Sequence, residues 1–115
     1  MSEESMSYKP ENGPTLSEIS RRPCARIFTD PLYAAPTHRD VRDLMEATGW
    51  QGNFVAAVTG VSSSRVVRKW RADPEETNEA RSIPYAAWRL LLIEAGVVSE
   101  VRSNQAADHR ADYKI

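Results

Sequence analysis

Apolar and polar positions alternate most informatively between Gly52 and Arg71, in GNFVAAVTGVSSSRVVRKWR. Phe54, Val55, Ala56 and Val58 recur at helical spacing, and Val66, Val67 and Trp70 do so again after an interruption. The interruption is Thr59-Gly60-Val61. Gly60 can take the positive φ that ends a helix, and Ala56, four positions earlier, is small enough to let a second helix approach. The serines at positions 62–64 then offer an N-cap. The spacing predicts two short helices joined by a tight turn, the second starting at Ser62 or Ser63. It leaves open whether Val66 or Val67 is the buried valine of the second helix.

Two further helices follow from the same pattern. Thr37 and Asp40 approximate a capping box, the apolar face continues through Val41, Leu44, Met45 and Ala47, and Gly49 stops the run. Later, Ser82 and Pro84 open a helix that reads YAAWRLLLIEA and ends at Gly96. Tyr85, Trp88, Leu91, Leu92 and Ala95 form its stripe, yet Ala86, Ala87, Leu90 and Ile93 lie off that stripe. A helix apolar on nearly all sides needs cover on a second side. The expectation is a subunit interface at Trp88, Leu91, Leu92 and Ile93, which Val97, Val98 and Val101 extend.

Between the elements the chain reads differently. Residues 27–36 are apolar but broken by Pro31 and Pro36, so they are expected to lie extended, with Ile27, Phe28, Leu32 and Tyr33 covering the core. Trp50 is expected to cap the core between helices. The segment ADPEETNEARSI, residues 72–83, is acidic and aperiodic, long for a helix–helix connection; it holds either a helical turn over Pro74–Asn78 or a mobile loop. Its acids are expected to point away from any polyanion bound by the preceding helix. Residues 1–20 and 103–115 are too polar to offset the cost of ordering. The organisation expected is therefore an N-terminal disordered, basic arm over 1–26, one domain over 27–98, and a disordered tail over 99–115. The fold class is all-α, with four to five helices.

Composition changes the picture in one respect. The net charge is −1, so there is no global pull toward nucleic acid, but Arg65, Arg68, Lys69 and Arg71 fall on the second helix with no acid among them. That arrangement suits a recognition helix entering the major groove. If Val66 is the inward valine, Ser63, Ser64, Arg65 and Arg68 approach base edges and Lys69 and Arg71 phosphates, with Gln51 a further phosphate donor. Arg21, Arg22 and Arg26 form a candidate minor-groove arm. The plainer alternative for each set is a solvated basic surface.

Other chemistry is not indicated. The single cysteine, Cys24, allows no internal disulfide and fits a reducing, cytoplasmic setting. His38 and His109 stand alone, no His or Cys pair has metal-ligand spacing, and no glycine-rich loop cradles phosphate. No catalytic residue, metal, cofactor, small-molecule ligand or membrane span is expected.

The stretch GNFVAAVTGVSSSRVVRKW followed by IPYAAWRLLLIEAG resembles the Cro-like, lambda-repressor-like (XRE) helix-turn-helix regulators of bacteria, most of all small versions from phages and conjugative elements, including anti-CRISPR-associated repressors. APTHRDVRDLMEATGW looks like the helix preceding the motif in that group, so the resemblance spans about residues 34–97. It implies a lambda-repressor-like fold and a sequence-specific repressor or autoregulator that binds operator DNA as a homodimer. Gly52 stands where such proteins often carry a phosphate-binding glutamine, and the interval from Val61 to Trp70 is one residue longer than usual. The rival reading is an antiactivator, a protein-interaction module that uses the same scaffold to hold another regulator; neutral charge and the acidic segment favour it. Salt dependence separates the two, because binding through cations weakens steeply with salt.

Overall fold

Each helix of the computed structural model, which describes residues 13–98, begins and ends where local chemistry dictates. Helix α1 is a single turn, Leu16–Ile19, capped by the Thr15 hydroxyl. A 3-10 turn follows at Pro23–Ala25. Helix α2, His38–Thr48, opens on a full capping box: the Asp40 amide donates to Thr37 Oγ1 at 3.3 Å and the Thr37 amide donates to Asp40 Oδ2 at 2.8 Å. Helix α3, Gly52–Thr59, stops at Gly60, whose φ of 81° lets its amide reach back to the Ala56 carbonyl. Helix α4, Ser64–Arg71, is capped by Ser63, and helix α5, Tyr85–Glu94, starts after Pro84. No strand occurs among the described residues, so the all-α expectation holds.

The first helix of the central pair runs one residue further than its sequence implies, because Thr59 returns its hydroxyl to the Val55 carbonyl and stays helical. The open register is resolved in favour of Val67, which is fully buried; Val66 only leans on the core. With Trp70 also buried, α4 turns Arg65 and Arg68 outward.

Helix α3 packs against both α4 and α5, and α2 against α1 and α4. The core between them holds Val41, Leu44, Val55, Val67, Trp88, Leu91 and Leu92, all essentially sealed from solvent. Trp50 rests against this core and stacks at a tilt on Phe54, the ring centres 5.1 Å apart.

The N-terminal segment corrects an expectation. Ile19, Cys24 and Ala25 belong to the core, so the packed unit starts well before Ile27. The Trp88 indole N–H donates to the Cys24 carbonyl at 2.9 Å, and Arg89 donates to the Ala25 carbonyl at 3.1 Å, tying this segment over α5. Burial pushes the Cys24 thiol up to about 12. Phe28 and Leu32, expected to cover the core, are instead 62% and 65% exposed. The backbone there turns twice, with Asp30 accepting from the Leu32 amide, and Phe28, Tyr33 and Tyr85 gather into a ring cluster. The covering work has passed to Ile19, Cys24 and Ala25.

The 72–83 segment is a folded loop. Amides of Glu76 and Thr77 donate to the Asp73 carbonyl in the helical turn that the sequence allowed. The Arg81 amide then donates to the Lys69 carbonyl at 3.0 Å, and Ile83 is buried, so the loop is fastened to the end of α4. The residues outside 13–98 carry the remaining expectations: most of the N-terminal tail, the C-terminal tail, Val101 and His109.

Candidate nucleic-acid interface

Of the residues nominated from sequence between Gln51 and Arg71, all but Ser63 and Ser64 separate into two hollows beside α4. Arg65, Arg68 and Lys69 line one, of about 720 Å³, together with Ala72, Thr77 and Glu79 from the following loop. Gln51 and Arg71 line the other, of about 500 Å³, with Arg42, Met45, Glu46, Trp50 and Gly52.

The first hollow is built by helical phase. With Val67 and Trp70 inward, steps of about 100° per residue carry Arg65 to the far side of α4 and Arg68 and Lys69 to its two flanks. Ser63 spends its hydroxyl on the Arg65 amide at 3.2 Å, which fixes the start of the helix and occupies one of the side chain's acceptor positions. Ser64 is half-buried, because α3 approaches it: a Cβ added to Gly52 would lie 3.1 Å from Ser64 Cβ. That contact explains why a side-chain-free residue stands at the start of α3. Of the two serines, Ser63 remains exposed.

The second hollow lies where the start of α3 meets α2 and the end of α4. Gln51 is the N-cap of α3 by backbone only; its carbonyl accepts from the Phe54 and Val55 amides, and its side chain makes no cap bond. Arg42, on α2, donates Nε to the Arg71 carbonyl at 3.0 Å, which fastens it to the last turn of α4. Two guanidinium groups and a primary amide thus share one opening, with Glu46 as its acid. Sequence reasoning missed Arg42, since nothing in the spacing of α2 shows that its outer face meets the end of α4. Thr77 and Glu79 were missed for a related reason. The acids of the loop divide: Asp73 and Glu76 line an opening with His38, Arg39 and Arg42 on the α2 side, whereas Glu79 faces the cations of α4. The expectation that the loop's acids avoid the cationic side fails at Glu79, because the Arg81–Lys69 backbone bond draws that part of the loop against α4.

The electrostatic partition is the sharper observation. Among the described residues, Arg65, Arg68 and Lys69 enter no ion pair. Two of the three N-terminal arginines do the opposite. Arg22 pairs with Glu18, Asp40 and Asp43 at 2.8–3.0 Å, and Arg26 pairs with Asp30 at 2.8 Å. Arg21 donates to Ser17 Oγ. The candidate minor-groove arm is corrected accordingly: Arg22 and Arg26 are consumed internally by acids of α1, α2 and the adjoining turn. The hydrogen bond from Arg22 first of all, and the charges of Arg22 and Arg21 after it, hold Glu18 below the usual carboxylate range.

The expected subunit interface is corrected in part as well. Trp88, Leu91 and Leu92 are 0% exposed within their own chain and offer nothing to a second copy. The stripe of α5 that does reach the surface runs through Ala86, Leu90 and Ile93, with Leu90 46% exposed and Ile93 half-buried. The apolar surplus seen in the sequence was real, but most of it is used by α3, by the N-terminal segment and by Val97 and Val98, which lean on the core.

No helix among the described residues is long and apolar enough to cross a membrane. No family profile matches the chain, and no solved structure matches it either. Two curated proteins of Escherichia coli, both named transcriptional repressor protein KorC, are similar to it. They are 34% and 31% identical over 67 residues, an overlap that covers 56% of this chain and 72% of each relative.

Proposed function

Since the chain belongs to the KorC family of transcriptional repressors, we propose that it represses transcription by holding operator DNA against α4. In this reading α3, the Gly60 turn and α4 are a lambda-repressor-like helix-turn-helix of the XRE type, and α4 is the recognition helix in the major groove. Arg65 and Arg68 reach base edges, where a guanidinium bonds guanine O6 and N7. Lys69 and the exposed Ser63 flank them. Gln51, Arg71 and Arg42 take a phosphate at the second hollow, which sets the docking register without reading sequence. The packed unit is one DNA-binding domain, and two copies meet through the Ala86–Leu90–Ile93 stripe to address two half-sites.

One observation carries the proposal. This chain neutralises Arg22 and Arg26 with its own carboxylates, yet leaves Arg65, Arg68 and Lys69 unpaired among the described residues in a single open hollow. Unpaired cations gathered on one helix face are the footprint of a polyanion-binding surface.

The test is selection of bound sites from random duplex DNA, followed by affinity measurements on the selected site. A palindromic motif is expected, with Arg68→Ala abolishing specific binding while its circular dichroism and melting stay those of the wild type. Normal operator affinity in that folded variant would refute the assignment. A second reading, an antiactivator that binds another regulator, is favoured by one observation, the exposed apolar side chains of Phe28 and Leu32. Binding to such a partner would hardly change with salt, whereas DNA affinity falls by about 0.9 log unit per log unit of salt for every phosphate neutralised.

A further inference from the structure

The hollow that gathers the cations of α4 contains one residue of the opposite sign. Glu79 lines it beside Arg65, Arg68 and Lys69. Its position is fixed by the loop's own bonds. The Glu79 amide donates to Thr77 Oγ1 at 3.1 Å. Arg81 clamps the two sides of the turn by donating Nη1 to the Asn78 and Ala80 carbonyls at 2.9 and 2.7 Å. The Arg81 amide then ties the whole turn to the Lys69 carbonyl at 3.0 Å. The carboxylate-bearing residue is thus held to the same helix whose cations it accompanies, rather than carried on a free loop.

We propose that Glu79 is a specificity-determining residue of the DNA interface, a deepening that rests on the reading of α4 as the recognition helix. A carboxylate only accepts hydrogen bonds at neutral pH, so in the major groove it matches a base amino group, above all cytosine N4. Against phosphate it is repelled. One residue therefore acts in two directions. On a random duplex it offsets part of the attraction exerted by the neighbouring cations; on a site that presents an amino group to it, the repulsion is replaced by a hydrogen bond. The gap between specific and non-specific affinity widens from both sides. This also gives the near-neutral chain, of net charge −1, a means of restraining non-specific binding. The other acids of the loop do not share the role: Asp73 and Glu76 line the α2 side, and Glu75 lines neither hollow.

The experiment compares wild type, Glu79→Gln and Glu75→Gln on the selected operator and on a random duplex, across a salt series. For Glu79→Gln the random duplex should bind about fivefold more tightly at 0.15 M salt, with a salt slope steeper by about 0.9, as expected when one phosphate contact is no longer offset. Operator affinity should not share that gain, so the ratio of operator to random affinity should fall by about fivefold or more. Site selection with the variant should lose its preference at a cytosine-bearing position. Glu75→Gln should behave as wild type. An unchanged ratio in Glu79→Gln overturns the assignment, and so does an equal shift in Glu75→Gln, which would make the effect one of net charge. A wild type with no preference among duplexes would sink the DNA reading itself, whereas a selective wild type with an indifferent Glu79→Gln sinks only the role of Glu79.

Discussion

Replacing Trp88 by phenylalanine separates a core role for α5 from an interface role. The indole is 0% exposed, and its N–H donates to the Cys24 carbonyl at 2.9 Å. Phenylalanine keeps an aromatic ring in the site but removes the donor. A buried carbonyl left without its partner costs about 1–3 kcal/mol. The smaller ring leaves a void that adds about 1 kcal/mol. The sum, about 2–4 kcal/mol, is a large share of the total stability of a small domain. At about 4–8 °C per kcal/mol for a packed unit of this size, the melting temperature should fall by about 8–32 °C. Circular dichroism melts of both proteins at two concentrations a hundredfold apart provide the assay. Because the side chain is enclosed by its own chain, the difference between variant and wild type should be the same at both concentrations. A deficit that vanishes at the higher concentration would mean that Trp88 belongs to a subunit contact, and a melting temperature within about 2 °C of wild type would mean that the indole bond contributes nothing.

Gly60→Ala should cost about 1–2 kcal/mol, all of it conformational, since φ is +81° and a Cβ there meets nothing within 4 Å; urea unfolding would read it. Arg22→Ala should destabilise by about 1–3 kcal/mol, because it strips the shared cation from Asp40 and Asp43, and amide exchange should rise in α1 first. For Cys24 the sign follows from its raised value. Between the ordinary 9.0 and about 12 the folded thiol keeps its proton while the unfolded one loses it, so stability falls as pH rises through that window, by up to about 1.4 kcal/mol per pH unit. Cys24→Ala should flatten that alkaline decline, and in the wild type the thiol should react with a disulfide reagent only on unfolding.

What could be read from the chain alone was what neighbours within one turn decide. The capping box of Thr37 and Asp40, the stops at Gly49, Gly60 and Gly96, and the apolar stripe of α5 all involve residues a few positions apart, and all occur as expected. Most of what escaped depends on partners far along the chain. Arg22 looked like a free basic arm because two of its three counter-charges, Asp40 and Asp43, lie on α2, well along the chain from the nearby Glu18. Trp88 looked available to a second subunit because its partner is a carbonyl 64 residues earlier. The choice between Val66 and Val67 turned on the exact start of α4, which three consecutive serines left ambiguous until Ser63 took the cap. In the candidate site, Arg65, Arg68 and Lys69 were legible as one cationic face. That Gln51 and Arg71 open elsewhere, and that Glu79 joins the first group, follows from backbone bonds that no composition reveals.

The tight approach of Gly52 to Ser64 has a wider consequence. The tilt of the cationic helix relative to its neighbour is governed by an atom that is missing. A single methyl introduced there would act as a shim under a lever, so small at the fulcrum yet amplified along the helix toward its far end. Descendants of this chain could thus re-aim the same arginines by altering a single residue on the neighbouring helix, and on the DNA reading divergence in target choice need not leave any trace on the side chains of α4.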